Sequence, residues 1–217
     1  MSVDFLPTPP TKIVCIGSNY RRHIEELGRT IPVEPRIFMK PTSALIGPGE
    51  AIVLPPGTER VDHEAELGVV IGRTMSRVPA ADCLSYVAGY TCVNDVTARD
   101  LQKKDVLFTR AKGFDTFCPV GPVVASDLDP SNLRVRAWVD GQLRQDGQTS
   151  DMIFDVPCLL AYVSNIMTLH PGDILSTGTP MGVGPMLPGQ TVAIEVSGIG
   201  RLENPIVARS DRRGDTA

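Results

Sequence analysis

The chain has 217 residues, a hydrophobic fraction of 42% and a formal net charge of −4. That length suits one sizeable domain with a buried core, and the acidic balance argues against nucleic acid as a partner, because phosphate binding needs a basic surface. No apolar run reaches the length of a membrane span, and the opening MSVDFLPTPPTK lacks the basic-then-apolar pattern of a secretory signal.

Residues 1–10 read as a Pro-rich leader, 11–208 as a single domain and 209–217 as a polar tail. Segment 12–17 is a short apolar strand. Segment 20–27, stopped by Gly28, is a short helix. Segments 35–39 and 51–54 are brief strands bounded by Pro and Gly. A strand over 65–71 follows, then a helix from Pro79 to Val87 and a strand over 88–93. Segment 133–139, Asp140-Gly141 and 142–144 read as a hairpin with a tight turn. Asp155 caps a helix with Pro157 in its first turn. Leu159, Leu160, Val163, Ile166 and Met167 form its apolar stripe, and Pro171 ends it. Strands over 173–176, 191–196 and 200–208 complete the pattern. Many short strands with few helices predict a β-rich α+β domain, rolled or barrel-like. The five cysteines are scattered and never spaced C-x-x-C, as expected of reduced, mostly buried thiols in a cytoplasmic protein.

Four stretches could carry chemistry. In 61-VDHEAELGVVIG-72, strand alternation points Ala65, Leu67, Val69 and Ile71 one way and Glu64 and Glu66 the other. Two adjacent carboxylates repel, so water, a basic side chain or a metal must compensate them. Asp95 ends a separate apolar run, and three converging oxygens suit a hard cation. The competing reading is a solvated strand face, which the spacing alone favours. His23 and Glu26 stand three apart on a helix, either as an oriented general base or as part of a charged surface. Thr97, Arg99, Gln102, Arg110 and Lys112 follow Asp95 closely. They could hold an anionic substrate or form ordinary salt bridges in a solvated loop. The glycine-rich 176-STGTPMGVGP-185 is no nucleotide loop. It either brings backbone N–H groups and the hydroxyl of Thr177 or Thr179 to a ligand, or simply connects strands.

Taken in order, GSNYRRHIEELG, FMKP, HEAELGVVIG, GYTCVNDVTARDLQ, TRAKGFDTFCPVGP, DGQLRQDGQTSDMIF and STGTPMGVGP resemble the fumarylacetoacetate hydrolase family. The resemblance runs from about Lys12 to Val207 and is to its short branch of acylpyruvate hydrolases and oxaloacetate decarboxylases. It implies a mixed β-sandwich roll with few short helices, and a homodimer. It implies Mg²⁺ or Mn²⁺ held by Glu64, Glu66 and Asp95. His23 and Glu26 match a lid pair that activates water, and Lys112 matches a lysine that stabilises an oxyanion. Arg99, Gln102 and Thr179 match substrate contacts.

The implied substrate is a small anionic 2-oxo acid, with neither nucleic acid nor membrane as a partner. The leading expectation is hydrolysis of a C–C bond in an acylpyruvate- or fumarylpyruvate-type β-diketo acid through a metal-bound pyruvate enolate. The alternative on the same site is an oxaloacetate decarboxylase or a 2-hydroxyhepta-2,4-diene-1,7-dioate-type isomerase. Between Gln102 and Lys112 the chain runs KKDVLFTRA, shorter than in acylpyruvase-type members, which leaves the distal group of the substrate open.

Overall fold

Period-two apolar runs become strands where a partner strand can satisfy their backbone groups. The computed structural model describes residues 3–209 apart from Leu27 and Arg29; the polar tail beyond 209 lies outside the described residues. In chain order the strands are β1 (Ile13–Gly17), β2 (Arg36–Lys40), β3 (Leu45–Ile46), β4 (Ile52–Leu54), β5 (Val61–His63), β6 (Ala65–Ile71), β7 (Val87–Asn94), β8 (Thr97–Ala98), β9 (Cys118–Ala125), β10 (Arg134–Val139), β11 (Gln142–Gln148), β12 (Ile174–Ser176), β13 (Gly184–Pro185), β14 (Thr191–Val196) and β15 (Gly200–Ala208). The α-helices are α1 (Arg21–Glu26), α2 (Arg99–Lys104), α3 (Thr109–Lys112) and α4 (Val156–Ile166). None is long and apolar enough to cross a membrane.

The strands form three sheets. A seven-stranded sheet runs β2-β1-β12-β6-β7-β9-β3, a five-stranded one β11-β10-β14-β15-β4, and a small one β13-β5-β8. Most pairs are antiparallel, but β1 with β12, β3 with β9 and β4 with β15 are parallel, so the architecture is mixed and β-rich, as expected. Leu67, Val69 and Ile71 of β6 share the main core with Val135, Ala137 and Val139 of β10, and with Val192, Ile194 and Val196 of β14. On the opposite face of the large sheet, Val70 and Val93 pack with Ile13, Cys15, Val120 and Ile174. Every residue of β6 is therefore buried. Gly68 is needed there, because a Cβ would lie 2.5 Å from Cγ2 of Val93.

Several elements depart from the sequence reading for identifiable reasons. Residues Ala80–Tyr86 form a 3₁₀-helix rather than an α-helix. Helix α4 has its Asp155 cap, with the carboxylate accepting from the Cys158 N–H at 2.9 Å. It stops at Ile166, short of Pro171, because Leu169 exchanges backbone hydrogen bonds with Met75 at 2.9 and 3.0 Å. Ile166 is consequently exposed rather than part of the buried stripe. The hairpin turn is as read, with Asp140 and Gly141 both at positive φ, and β11 runs on to Gln148. Strand β9 was not expected, because Pro119 and Pro122 demote a run as a strand. Helices α2 and α3 are too short to show a period. All five cysteines are free, four of them buried. Burial pushes the Cys92 and Cys118 thiols up to about 12.

Asp173 fastens the start of the domain to the turn before β12. Its fully buried carboxylate accepts from Thr11 N–H at 2.8 Å, Thr11 Oγ1 at 2.7 Å, Lys12 N–H at 3.0 Å, Lys12 Nζ at 2.5 Å and His170 N–H at 2.8 Å. Burial alone would raise its pKa. The Lys12, His170 and Thr11 donors override this and hold it below the usual range. Asp173→Ala should cost about 3 kcal/mol in urea unfolding, the scale of a broken buried charge network. The folded pKa is depressed, so the contribution of Asp173 is complete above its unfolded pKa near 4. It is lost as pH falls through the lower folded value. Asp173→Asn should remove that part of the acid dependence.

Candidate active site

The antiparallel register of β6 on β7 pairs Ala65 with Asn94 and Glu66 with Val93. That pairing brings Asp95, just past β7, beside Glu64. Asp95 N–H donates to Glu64 O at 2.9 Å, and Glu64 N–H donates to the Asn94 side-chain oxygen at 3.0 Å. Glu64 itself sits at the break between β5 and β6. The three carboxylates offer oxygens within 4.8 Å of one another. They are only 6%, 1% and 1% exposed, which excludes the solvated-face reading.

Buried carboxylates this close need opposing charge. Lys112 Nζ reaches Glu64 Oε2 at 2.8 Å and also pairs with Asp95. Lys40 Nζ, fully buried, donates to Asp95 Oδ1 at 2.6 Å and to Val96 O at 3.0 Å. Arg99 pairs with Glu64 through one Nη. Its Nε donates to Asp62 Oδ2 at 2.9 Å and its other Nη to Gln102 Oε1 at 2.7 Å. Glu66 has neutral donors instead: Ser176 Oγ at 2.5 Å and Gly178 N–H at 2.8 Å.

The two glutamates differ accordingly. Burial acts to raise Glu64, but Lys112 and Arg99 outweigh it and hold it well below the usual carboxylate range. Burial, then the charges of Asp95 and Glu64, push Glu66 up to about 8. Three converging oxygen donors, one of them without a cationic partner among the described residues, are a donor set that fits a hard divalent cation such as Mg²⁺ or Mn²⁺.

Apart from Glu26, every residue singled out by the resemblance lines one cavity of about 250 Å³. Glu26 stands behind His23, its Oε2 3.1 Å from His23 Nδ1, and is partly exposed. Thr179, rather than Thr177, faces this cavity; the Thr177 hydroxyl donates to Leu67 O at 2.9 Å. Thr97 donates to Asp95 O at 2.8 Å. Arg110 leaves the site for a surface pair with Asp105, and Lys103 lines the cavity.

Sequence reasoning gave no role to Lys40, Arg60, Asp62, Ser176 or Gln145. Asp62 lies inside the glutamate stretch and Lys40 inside the FMKP block, so both were in view. Gln145 lies inside the DGQLRQDGQTSDMIF block, where no local pattern sets it apart from the other glutamines. Phe38 supports Lys112, whose Nζ lies 4.9 Å from the ring centroid, and Phe108 meets Phe38 edge-on at 5.6 Å.

The model of the fumarylacetoacetate (FAA) hydrolase C-terminal domain matches residues 12–207. The chain belongs to the fumarylacetoacetate hydrolase family. It is similar to the mitochondrial oxaloacetate decarboxylase of Dictyostelium discoideum, at 44% identity over 87% of this chain and 89% of that protein. It is also similar to the mitochondrial oxaloacetate tautomerase of Arabidopsis thaliana, at 43% identity over 92% of each. Among solved structures, 5-carboxymethyl-2-hydroxymuconate delta-isomerase from Mycobacterium smegmatis superposes with a TM-score of 0.89 at 49% identity, over 94% of this chain and 81% of that one. Enzymes of this family generally use a divalent metal, and the Glu64–Glu66–Asp95 cluster is compatible with one. Asp95→Asn, which keeps the shape of the side chain, should weaken Mn²⁺ binding at least 100-fold by calorimetric titration. Unchanged affinity would place the cation elsewhere.

Proposed function

We propose that this protein is a divalent-metal-dependent enzyme acting on 2-oxo dicarboxylates of the oxaloacetate type, moving a proton or releasing CO₂ at the carbon next to the 2-oxo group. One observation carries this reading. Outside the carboxylate cluster, the charged lining of the cavity is Arg60, Arg99, Lys103 and Lys112 against a single acid, Asp62. A cavity built that way suits a ligand with two negative ends. The names of the relatives support the same class, since the decarboxylase and the tautomerase act on oxaloacetate.

Bound by Glu64, Glu66 and Asp95, Mg²⁺ or Mn²⁺ supplies Lewis acidity toward the oxygens of a 2-oxo acid. Lys112 holds negative charge that develops on a substrate oxygen, and the ring of Phe38 shields one side of its ammonium. Arg99, braced by Asp62 and Gln102, and the half-exposed Arg60 receive the distal carboxylate. His23, 7% exposed, uses Nδ1 on Glu26 and keeps Nε2 to take or return a proton.

The same pair supports a second reading, hydrolysis of a C–C bond in an acylpyruvate- or fumarylpyruvate-type β-diketo acid. An imidazole oriented by a carboxylate is suited to activating water for attack on the distal carbonyl. The products would be a carboxylic acid and pyruvate. The homodimer implied by the family resemblance belongs to this proposal and is checked by light scattering.

Purified protein should turn over oxaloacetate with Mg²⁺ and lose that activity in EDTA, followed by enol absorbance and pyruvate release. Turnover of acetylpyruvate or fumarylpyruvate with oxaloacetate inert would replace the first reading by the second. His23→Ala should lower turnover about 10²–10⁴-fold, the scale of a lost acid–base group, and leave Mn²⁺ binding unchanged. Parent-level turnover in that variant would remove His23 from the chemistry.

A further inference from the structure

Gln145 is the one buried residue of β11, an edge strand of the five-stranded sheet, and it reaches across to the active site. Its Oε1 accepts from Ala65 N–H and from His63 Nδ1, both at 2.9 Å. Its Nε2 donates to Thr179 Oγ1 and to Pro180 O, both at 2.8 Å. Backbone N–H only donates and backbone carbonyl only accepts. With Ala65 N–H at one end and Pro180 O at the other, the amide has a single possible orientation. His63 must then donate from Nδ1.

The consequence falls on Thr179. A hydroxyl has one hydrogen and two lone pairs. One lone pair takes the hydrogen of Gln145 Nε2, and the hydroxyl hydrogen goes to Ala65 O at 2.9 Å. One lone pair and no hydrogen remain for the cavity that Thr179 lines. The contact is held firmly, because β11 and the Thr179 loop are in close apposition. A Cβ on Gly147 would sit 2.5 Å from Pro180 Cβ, and one on Gly182 would sit 2.3 Å from Arg144 O.

We propose that Thr179, held in place by Gln145, is a specificity-determining acceptor of the active site: with its hydrogen committed to Ala65 O and one lone pair to Gln145 Nε2, it takes a proton-bearing oxygen such as an enol, a hydroxyl or water, and gives nothing to a carboxylate. The same amide holds Ala65, between Glu64 and Glu66. A site of this polarity favours the enol over the keto form of a 2-oxo acid. The proposal rests on the cavity being the substrate site, as argued above.

The test uses Mn²⁺-loaded protein and two small probes, oxalate without a hydroxyl hydrogen and glycolate with one, titrated calorimetrically. Thr179→Val should leave oxalate affinity within about twofold and weaken glycolate about tenfold, the scale of one neutral hydrogen bond. A merely structural loss weakens both probes alike. Thr179→Val keeps the Gln145 bonds to Ala65 and Pro180, so the frame around the site is retained.

A tenfold loss of oxalate binding in Thr179→Val, or unchanged glycolate affinity in that variant, overturns the proposal. Wild-type protein that takes up no Mn²⁺ overturns this and the metal reading together. The expected probe pattern without oxaloacetate turnover supports this inference and removes only the activity.

Discussion

Three carboxylates held within 4.8 Å of one another and almost wholly out of water form the constraint on which the rest of the site depends. Desolvation disfavours each charge, and the charges disfavour one another. The chain answers with cations brought from distant segments: Lys40 from β2, Lys112 from α3 and Arg99 from α2. Those cations are themselves buried or nearly so, and without the carboxylates they would be as costly as the carboxylates are without them. The cluster therefore works as a unit. Among the described residues it leaves Glu66 bonded only to the Ser176 hydroxyl and the Gly178 N–H. That is the least compensated carboxylate, beside which a divalent cation gains most.

The sandwich supplies what loops alone cannot. Strand β6, with neighbours on both edges and apolar packing on both faces, fixes Glu66. The register with β7 sets where Asp95 falls. The cavity-lining loop after β12 is then tied to this frame by Thr177, Thr179 and Gln145 rather than by ladder bonds. Asn19 makes a similar tie for the segment before α1. Its side chain bridges Phe154 O and Thr177 O at 3.1 and 2.8 Å, and accepts from Phe154 N–H at 2.9 Å. Rigid strands thus hold Glu66 and Lys40 and set Glu64 and Asp95 at strand ends, while the His23–Glu26 pair sits on a helix of six residues at the edge of the cavity.

Hydrolysis, decarboxylation and enol–keto transfer all require negative charge to be held beside a 2-oxo group, so one cluster can serve each of them. The choice falls to the remaining walls: which groups face the distal end of the substrate, whether water is held beside His23, and which hydrogen-bonding direction the Thr179 hydroxyl presents. In this chain those walls include the cations Arg60 and Lys103 and the acid Asp62.

Much of this was legible from local pattern. Alternation placed Leu67, Val69 and Ile71 in the core, the Asp155 cap and apolar stripe located α4, and Asp140-Gly141 located the hairpin. The family blocks named the carboxylates, His23, Lys112 and Thr179. Local pattern failed where a partner overrode it, as when Met75 ended α4, and where prolines disguised β9. The sequence by itself determined which faces are apolar and which residue types are available for chemistry, because both follow from side-chain identity and spacing. Only the tertiary structure decided the convergence. Gln145 meets a backbone amide 80 residues away in the chain, Lys40 meets Asp95 across 55 residues, and Glu66 lies 110 residues from the Ser176 hydroxyl that holds it. Strand order and register set these meetings, and they depend on every strand at once, so no local window of the chain contains them.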